Sequence, residues 1–171
     1  MPNSPFWQFS IRFYGAPGVA PACIRLQDEA GVDVNLLLFL LWNATQGRGL
    51  GEAEVRELDT AIAPWRSTTV IPLREMRRAL KSPPAMLAPE TAEAFRTRIK
   101  AAELEAERLL QEALYALGQS GRLGKDGLSP FDAARASLSA YQAVLSPFPP
   151  EPMEQVLAAF SASCGGRLDK V

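Results

Sequence analysis

The chain has 171 residues, enough for one domain that buries about 70% of its unfolded surface without disulfides or structural metals. Its 18 basic and 19 acidic residues leave a net charge of −1, neither the basic excess of a nucleic-acid protein nor an acidic tail. Histidine is absent, which excludes Ser-His-Asp and Cys-His catalysis and every His-ligated zinc, iron or copper site.

Two cysteines, Cys23 and Cys164, cannot build a disulfide framework and read as reduced thiols of a cytoplasmic protein. Neither a basic n-region nor an apolar h-region precedes Arg12, so no secretory signal is read there. Ala20-Pro21-Ala22-Cys23 lacks the leucine and the basic lead of a lipoprotein site.

In chain order the segments read as helices. Ser4-Pro5 is an N-cap and N1 pair opening a helix to Tyr14, stopped by Gly15. Val19, Ala22, Cys23, Leu26 and Ala30 recur at helical spacing, and Gly31 closes that segment. Asp33 is placed to cap a third helix running to Gly47, whose stretch Leu36 to Trp42 is apolar throughout. That run is far short of the ~20 residues a bilayer span needs, so it predicts a central core helix.

Gly47-Arg48-Gly49-Leu50-Gly51 has no preceding strand and no following Gly-Lys-Ser/Thr. It reads as a helix stop and hinge rather than a phosphate loop. A helix then begins near Glu52, with Val55, Leu58, Ile62 and Trp65 at core spacing. Pro64 and Pro72 leave either a kink or a break before a helix over about Ser67 to Lys81.

Pro83-Pro84 punctuates the chain, and Pro89 starts a long helix to about Gln119. Along it Ala92, Phe95, Ile99, Ala102, Ala106, Leu109, Ala113 and Ala116 form an alanine-rich seam suited to a neighbouring helix, with Leu104 pointing off it. Residues 118–127 read as a flexible glycine-rich connection. Ser129-Pro130 opens another helix through Leu145, and after a proline cluster a last short helix carries Met153, Val156, Leu157 and Phe160. No alternating β-branched run appears, so no sheet is expected.

Phe6-Trp7-x-Phe9-Ser10, Phe13-Tyr14-Gly15-x-Pro17-Gly18-Val19 and Leu26-Gln27-Asp28-x-x-Gly31-Val32-Asp33-Val34-Asn35-Leu36-Leu37-Leu38 resemble an uncharacterised family of short proteobacterial proteins. Trp65-Arg66 and Pro72-Leu73-Arg74 with Arg77-Arg78 carry the resemblance to about residue 81. It implies a bacterial source and no particular activity.

Three groups of residues are candidates for function. The polar set Gln27, Asp28, Glu29, Asp33 and Asn35 precedes the most apolar helix and has the residue types of a Mg²⁺ site or an acid-base pair. The competing reading pairs Arg25 with Asp28 or Glu29 and uses Asp33 and Asn35 as helix caps. The basic set is Arg66, Arg74, Arg77, Arg78 and Lys81. Residues 64–81 carry five positive charges against one negative, while residues 1–63 carry four against seven. Those arginines suit an anionic ligand or an acidic partner, or else neutralise Asp28, Glu29 and Asp33 internally. Nucleic acid is disfavoured because interleaved aromatic residues are missing. The third set is aromatic: Phe6, Trp7, Phe9, Phe13 and Tyr14 lie on two sides of one short helix, which is either wedged in its bundle or turned toward a partner.

The sequence thus predicts an all-α fold, a single compact bundle of about seven to eight helices around the 33–47 helix. It would span 1–171 with a family-like half at 1–81, a variable half at 89–163 and a frayed tail at 164–171. The expected role is a non-enzymatic cytoplasmic protein that binds another protein, without metal, cofactor or membrane span. An opposing reading seats an apolar small molecule beside Leu37, Phe39 and Leu41, its anionic head on Arg74 and Arg78. A third is a carboxylate-based, metal-dependent enzyme acting through Asp28 or Asp33.

Overall fold

Helix starts in this chain are written in short local signals, and the structure, a computed structural model describing residues 3–121 and 123–165, follows them closely. Ser4 Oγ accepts the Trp7 N–H at 3.1 Å to open α1 (Pro5–Tyr14), with Pro5 in the first turn. α2 (Val19–Ala30) ends at Gly31, whose φ of 69° is the left-handed conformation a helix stop requires. The Asp33 carboxylate accepts from Asn35 and Leu36 at 2.9 and 3.1 Å to open α3 (Val34–Ala44). α4 (Glu52–Trp65), α5 (Ile71–Ala79), α6 (Pro89–Ser120), α7 (Pro130–Val144) and α8 (Pro150–Gly165) complete an all-α fold. Among the described residues there is no β-strand, only an isolated bridge between Gly49 and Lys125.

Pro64 and Pro72 resolve into neither a break nor a simple kink. A π-helical turn, Arg66–Val70, carries α4 directly into α5, and the Ile71 N–H reaches back five residues to the Arg66 carbonyl. Pro72 has no N–H for the regular ladder, and the widened turn accommodates the missing bond. The last helix runs to Gly165, past the expected start of the tail at Cys164. The remaining tail positions, 166–171, lie outside the described residues.

The chain divides into two compact units. The first comprises the described parts of Met1–Asp59 and Gln111–Val171. In it α3 packs on α7, α2 on α8, α7 on α8 and α1 on α3. Leu36 through Leu41 are all buried, as the apolar run predicts, each contributing about 1.5–3 kcal/mol of burial. The second unit, Thr60–Leu110, holds the end of α4, the π turn, α5 and most of α6. The limits of this unit fall inside α4 and α6.

The two glycine-rich loops of the first unit are paired with each other. Gly49 and Lys125 exchange both backbone hydrogen bonds, at 3.1 and 2.8 Å, and the Leu128 N–H donates to the Gly47 carbonyl at 3.2 Å. Arg48 and Asp126 add an ion pair at 3.2 Å. The connection read as flexible is thus tied down; Arg122 within it lies outside the described residues.

Candidate functional sites

α5 and α6 form the basic segment's surroundings within the second unit. The guanidinium of Arg77 donates through Nε to Glu103 Oε2 and through Nη2 to Oε1 at 3.1 Å. Arg74 donates to the same carboxylate at 3.4 Å and to Glu107 at 3.1 Å. The Glu103 side chain is only 7% exposed, so the acid lies inside, clasped by two arginines that are themselves mostly covered. Arg78 and Lys81 are exposed and Arg66 is half-buried. The set therefore does not act as one cationic face: Arg74 and Arg77 spend their charge on carboxylates of α6.

That clasp decides how α6 is turned. The alanine seam predicts Phe95, Ile99, Ala102, Ala106 and Leu109 as one inner face. The buried line in the structure is Ala92, Glu103, Ala106 and Leu110, rotated around the helix. Phe95 and Leu109 are left 46% and 44% exposed, and Ala102 between them is exposed too. Eight of the twelve large apolar side chains exposed among the described residues lie between Thr60 and Leu110, Met76, Met86 and Leu104 with them. Only Ile62, Val70, Ala92, Ala106 and Leu110 are buried apolar residues there.

The polar set before α3 is dispersed over separate structural roles. Asp33 caps α3, and its own N–H donates to the Tyr141 hydroxyl at 2.9 Å. Asn35 does not cap. Its Oδ1 accepts from Gln111 Nε2 at 2.8 Å, a buried amide pair between α3 and α6. Gln27 reaches its neighbour Asp28 at 3.5 Å on the surface. Arg25 binds Glu29 at 2.9 Å and Glu151 of α8 at 3.0 Å; these two hydrogen bonds hold its pKa above the usual arginine value. Among the described residues no group of three or more Cys, Asp or Glu side chains is placed to hold a metal ion.

The aromatic set points inward. Phe6, Trp7, Phe9 and Phe13 are buried and Tyr14 is half-buried. Phe6 meets Phe39 edge-on at 5.3 Å and Phe9 meets Trp42 at 5.8 Å. Two aromatic sides of one short helix are thus packed within the first unit, leaving Ile11 as the large exposed apolar residue of α1. Leu37, Phe39 and Leu41 are buried as well.

The amides of the Gly47–Gly51 loop are also occupied. Leu50 N–H donates to Ser137 Oγ at 3.0 Å and Gly51 N–H to Glu54 Oε2 at 2.8 Å, while Glu54 Oε1 takes the Gly124 N–H at 2.7 Å. A carboxylate of the chain itself therefore holds the position a phosphate would take. Gly47 is needed for closeness, since a Cβ there would stand 2.8 Å from the Leu128 carbonyl oxygen.

Sequence reading missed Glu103, Gln111 and Tyr141. Glu103 carried a usable signal, because it continues the line of Ile99, Ala106 and Leu110 at helical spacing and so interrupts an otherwise apolar stripe.

Fold and sites together define an all-α protein with a closed arginine–carboxylate clasp and an exposed apolar helix face. Residues 5–114 match a family described as a protein of unknown function, DUF2390, and the chain belongs to that family. The match continues past residue 81, where the recognisable motifs end, into α6. No curated protein and no solved structure matches the chain. No helix among the described residues is long and apolar enough to cross a membrane.

Proposed function

We propose that the chain is a non-enzymatic cytoplasmic protein-binding module, and that its docking surface is the outward face of α6 within residues 60–110. The observation carrying this reading is the line Phe95, Ala102 and Leu109, exposed at seven-residue spacing while Glu103 of the same helix is turned inward. Seven-residue spacing is the repeat by which one helix meets another, and a small residue between two large ones lets a partner helix approach closely. Concentration of exposed apolar side chains on one short segment is the mark of an interaction surface rather than of scattered surface residues. The partner this face suits is an amphipathic helix of a second protein.

The test is site-specific photocrosslinking in the cells of origin, with a benzophenone residue at Phe95 or Leu109 and, as control, at exposed Ile24 of α2. One discrete adduct with a second protein is expected from the two α6 positions and not from the control. With the benzophenone at Phe95, Leu109→Glu should abolish it, and with the benzophenone at Leu109, Phe95→Glu should, while the helical circular dichroism and melting midpoint stay as in wild type. Identical adducts at all three positions, none at all, or adducts only between copies of this chain would overturn the reading.

A further inference from the structure

Phe9 and Phe13, one helical turn apart in α1, stack with ring centroids 5.6 Å apart and planes within 6°. Phe13 also meets Phe160 of α8 edge-on at 6.1 Å. These rings help to floor a cavity of about 310 Å³ in the first unit, lined further by Thr45 after α3, Pro130 at the start of α7, and Ser163 and Cys164 near the end of α8. Its volume is at the small end of the ~300–1,000 Å³ range of ligand pockets. Arg12, in the last turn of α1, lines it too and is the charged residue among the described lining; no acidic side chain belongs to that lining.

The hydroxyls there are committed as donors. Thr45 Oγ1 donates to the Trp42 carbonyl and Ser163 Oγ to the Phe160 carbonyl, each at 2.7 Å. Toward a ligand these oxygens act only as acceptors, which repel an anion from the floor and leave the Arg12 guanidinium to receive it. The geometry points to a binding site for a small organic carboxylate, its aromatic or short aliphatic body against Phe9, Phe13 and Pro130 and its carboxylate on Arg12. One guanidinium matches one negative charge in planar, two-point fashion, whereas a phosphate monoester dianion would leave a charge uncompensated. This site is independent of the α6 docking face.

The chain supplies its own reporter of occupancy. Cys23 is fully buried and burial pushes its thiol up to about 12, so at neutral pH an alkylating reagent reads Cys164, which is half-buried on the cavity wall. The experiment titrates the full chain with 4-phenylbutyrate, following amide NMR shifts and the rate of Cys164 alkylation by iodoacetamide. Saturable shifts are expected at Phe13, Ala16, Thr45 and Cys164 with a Kd below about 1 mM, with alkylation slowed as the site fills. The neutral analogue 4-phenylbutanamide should bind about tenfold more weakly, and Arg12→Gln should erase that preference without lowering the melting midpoint, since Arg12 is exposed. Equal binding of acid and amide to the wild-type chain would overturn the inference, as would shifts that do not saturate, an unchanged alkylation rate, or an Arg12→Gln variant that still prefers the acid.

Discussion

The Tyr141 hydroxyl accepts the Asp33 backbone N–H at 2.9 Å, joining the α3 N-cap residue to the last turn of α7 across 108 positions. Tyr141 is fully buried, its ring edge-on to Phe148 at 5.6 Å, so this hydrogen bond is shielded from water. Tyr141→Phe keeps the ring and orphans the Asp33 N–H, and should lower stability by about 1–2 kcal/mol in urea unfolding. Asp33→Ala removes two cap bonds instead and should cost a comparable amount, about 1–2 kcal/mol. A Tyr141→Phe variant as stable as wild type would mean the hydrogen bond carries no net weight.

Glu103 is the point where α5 and α6 are charge-locked, and removing it takes from Arg74 and Arg77 the buried carboxylate they share. Glu103→Ala should cost about 2–4 kcal/mol, and Glu107→Ala, whose carboxylate is more exposed and pairs with Arg74 at 3.1 Å, distinctly less. Amide hydrogen exchange over 71–79 and 100–108 measures both. Similar losses of protection in the two variants would contradict the clasp.

Glycines 47 and 51 stand at two ends of one loop but in different surroundings. Gly47 has φ 73° and no space for a Cβ, whereas at Gly51 the nearest atom, Glu54 Oε2, is an ordinary 3.7 Å away. Gly47→Ala should therefore destabilise by about 2 kcal/mol or more, from combined backbone strain and clash, and Gly51→Ala by well under half of that. Thermal unfolding of the pair decides it, and the reverse order would be incompatible with the loop pairing.

The buried Cys23 thiol makes stability fall in alkali. Its folded pKa is about 12 against an ordinary value of 9.0, so both states are neutral well below pH 9 and no penalty exists there. Above that the unfolded chain gains by ionising, and stability declines toward pH 12 by on the order of 4 kcal/mol. Cys23→Ala should flatten this limb when urea midpoints are compared across mildly alkaline pH. Parallel declines in variant and wild type would assign the limb to other groups.

Helix starts were legible because their chemistry is local. Ser4-Pro5, Asp33 and Ser129-Pro130 each supply an acceptor or a preset φ within three residues of the groups they serve, and all three caps form. The rotation of α6 was not legible, because it depends on a choice made across 26 residues by Arg77 and Glu103. A periodicity reading ranks side chains by apolarity and places acids outside. Two arginines closing on one carboxylate reverse that ranking. The pairing of the two glycine-rich loops was hidden for a similar reason: glycine spacing signals freedom of the backbone, while here the missing Cβ atoms permit contact with another loop.

The order in which the helices leave the ribosome bears on how the chain is made. α2 and α3 emerge well before their packing partners α8 and α7. At typical elongation rates the Leu36–Leu41 stretch waits about 5–20 s before α7 can cover it. Throughout that interval the most apolar segment of the chain is a target for holding chaperones, and truncated products ending before Pro130 are substrates for aggregation and proteolysis rather than smaller working versions of the protein.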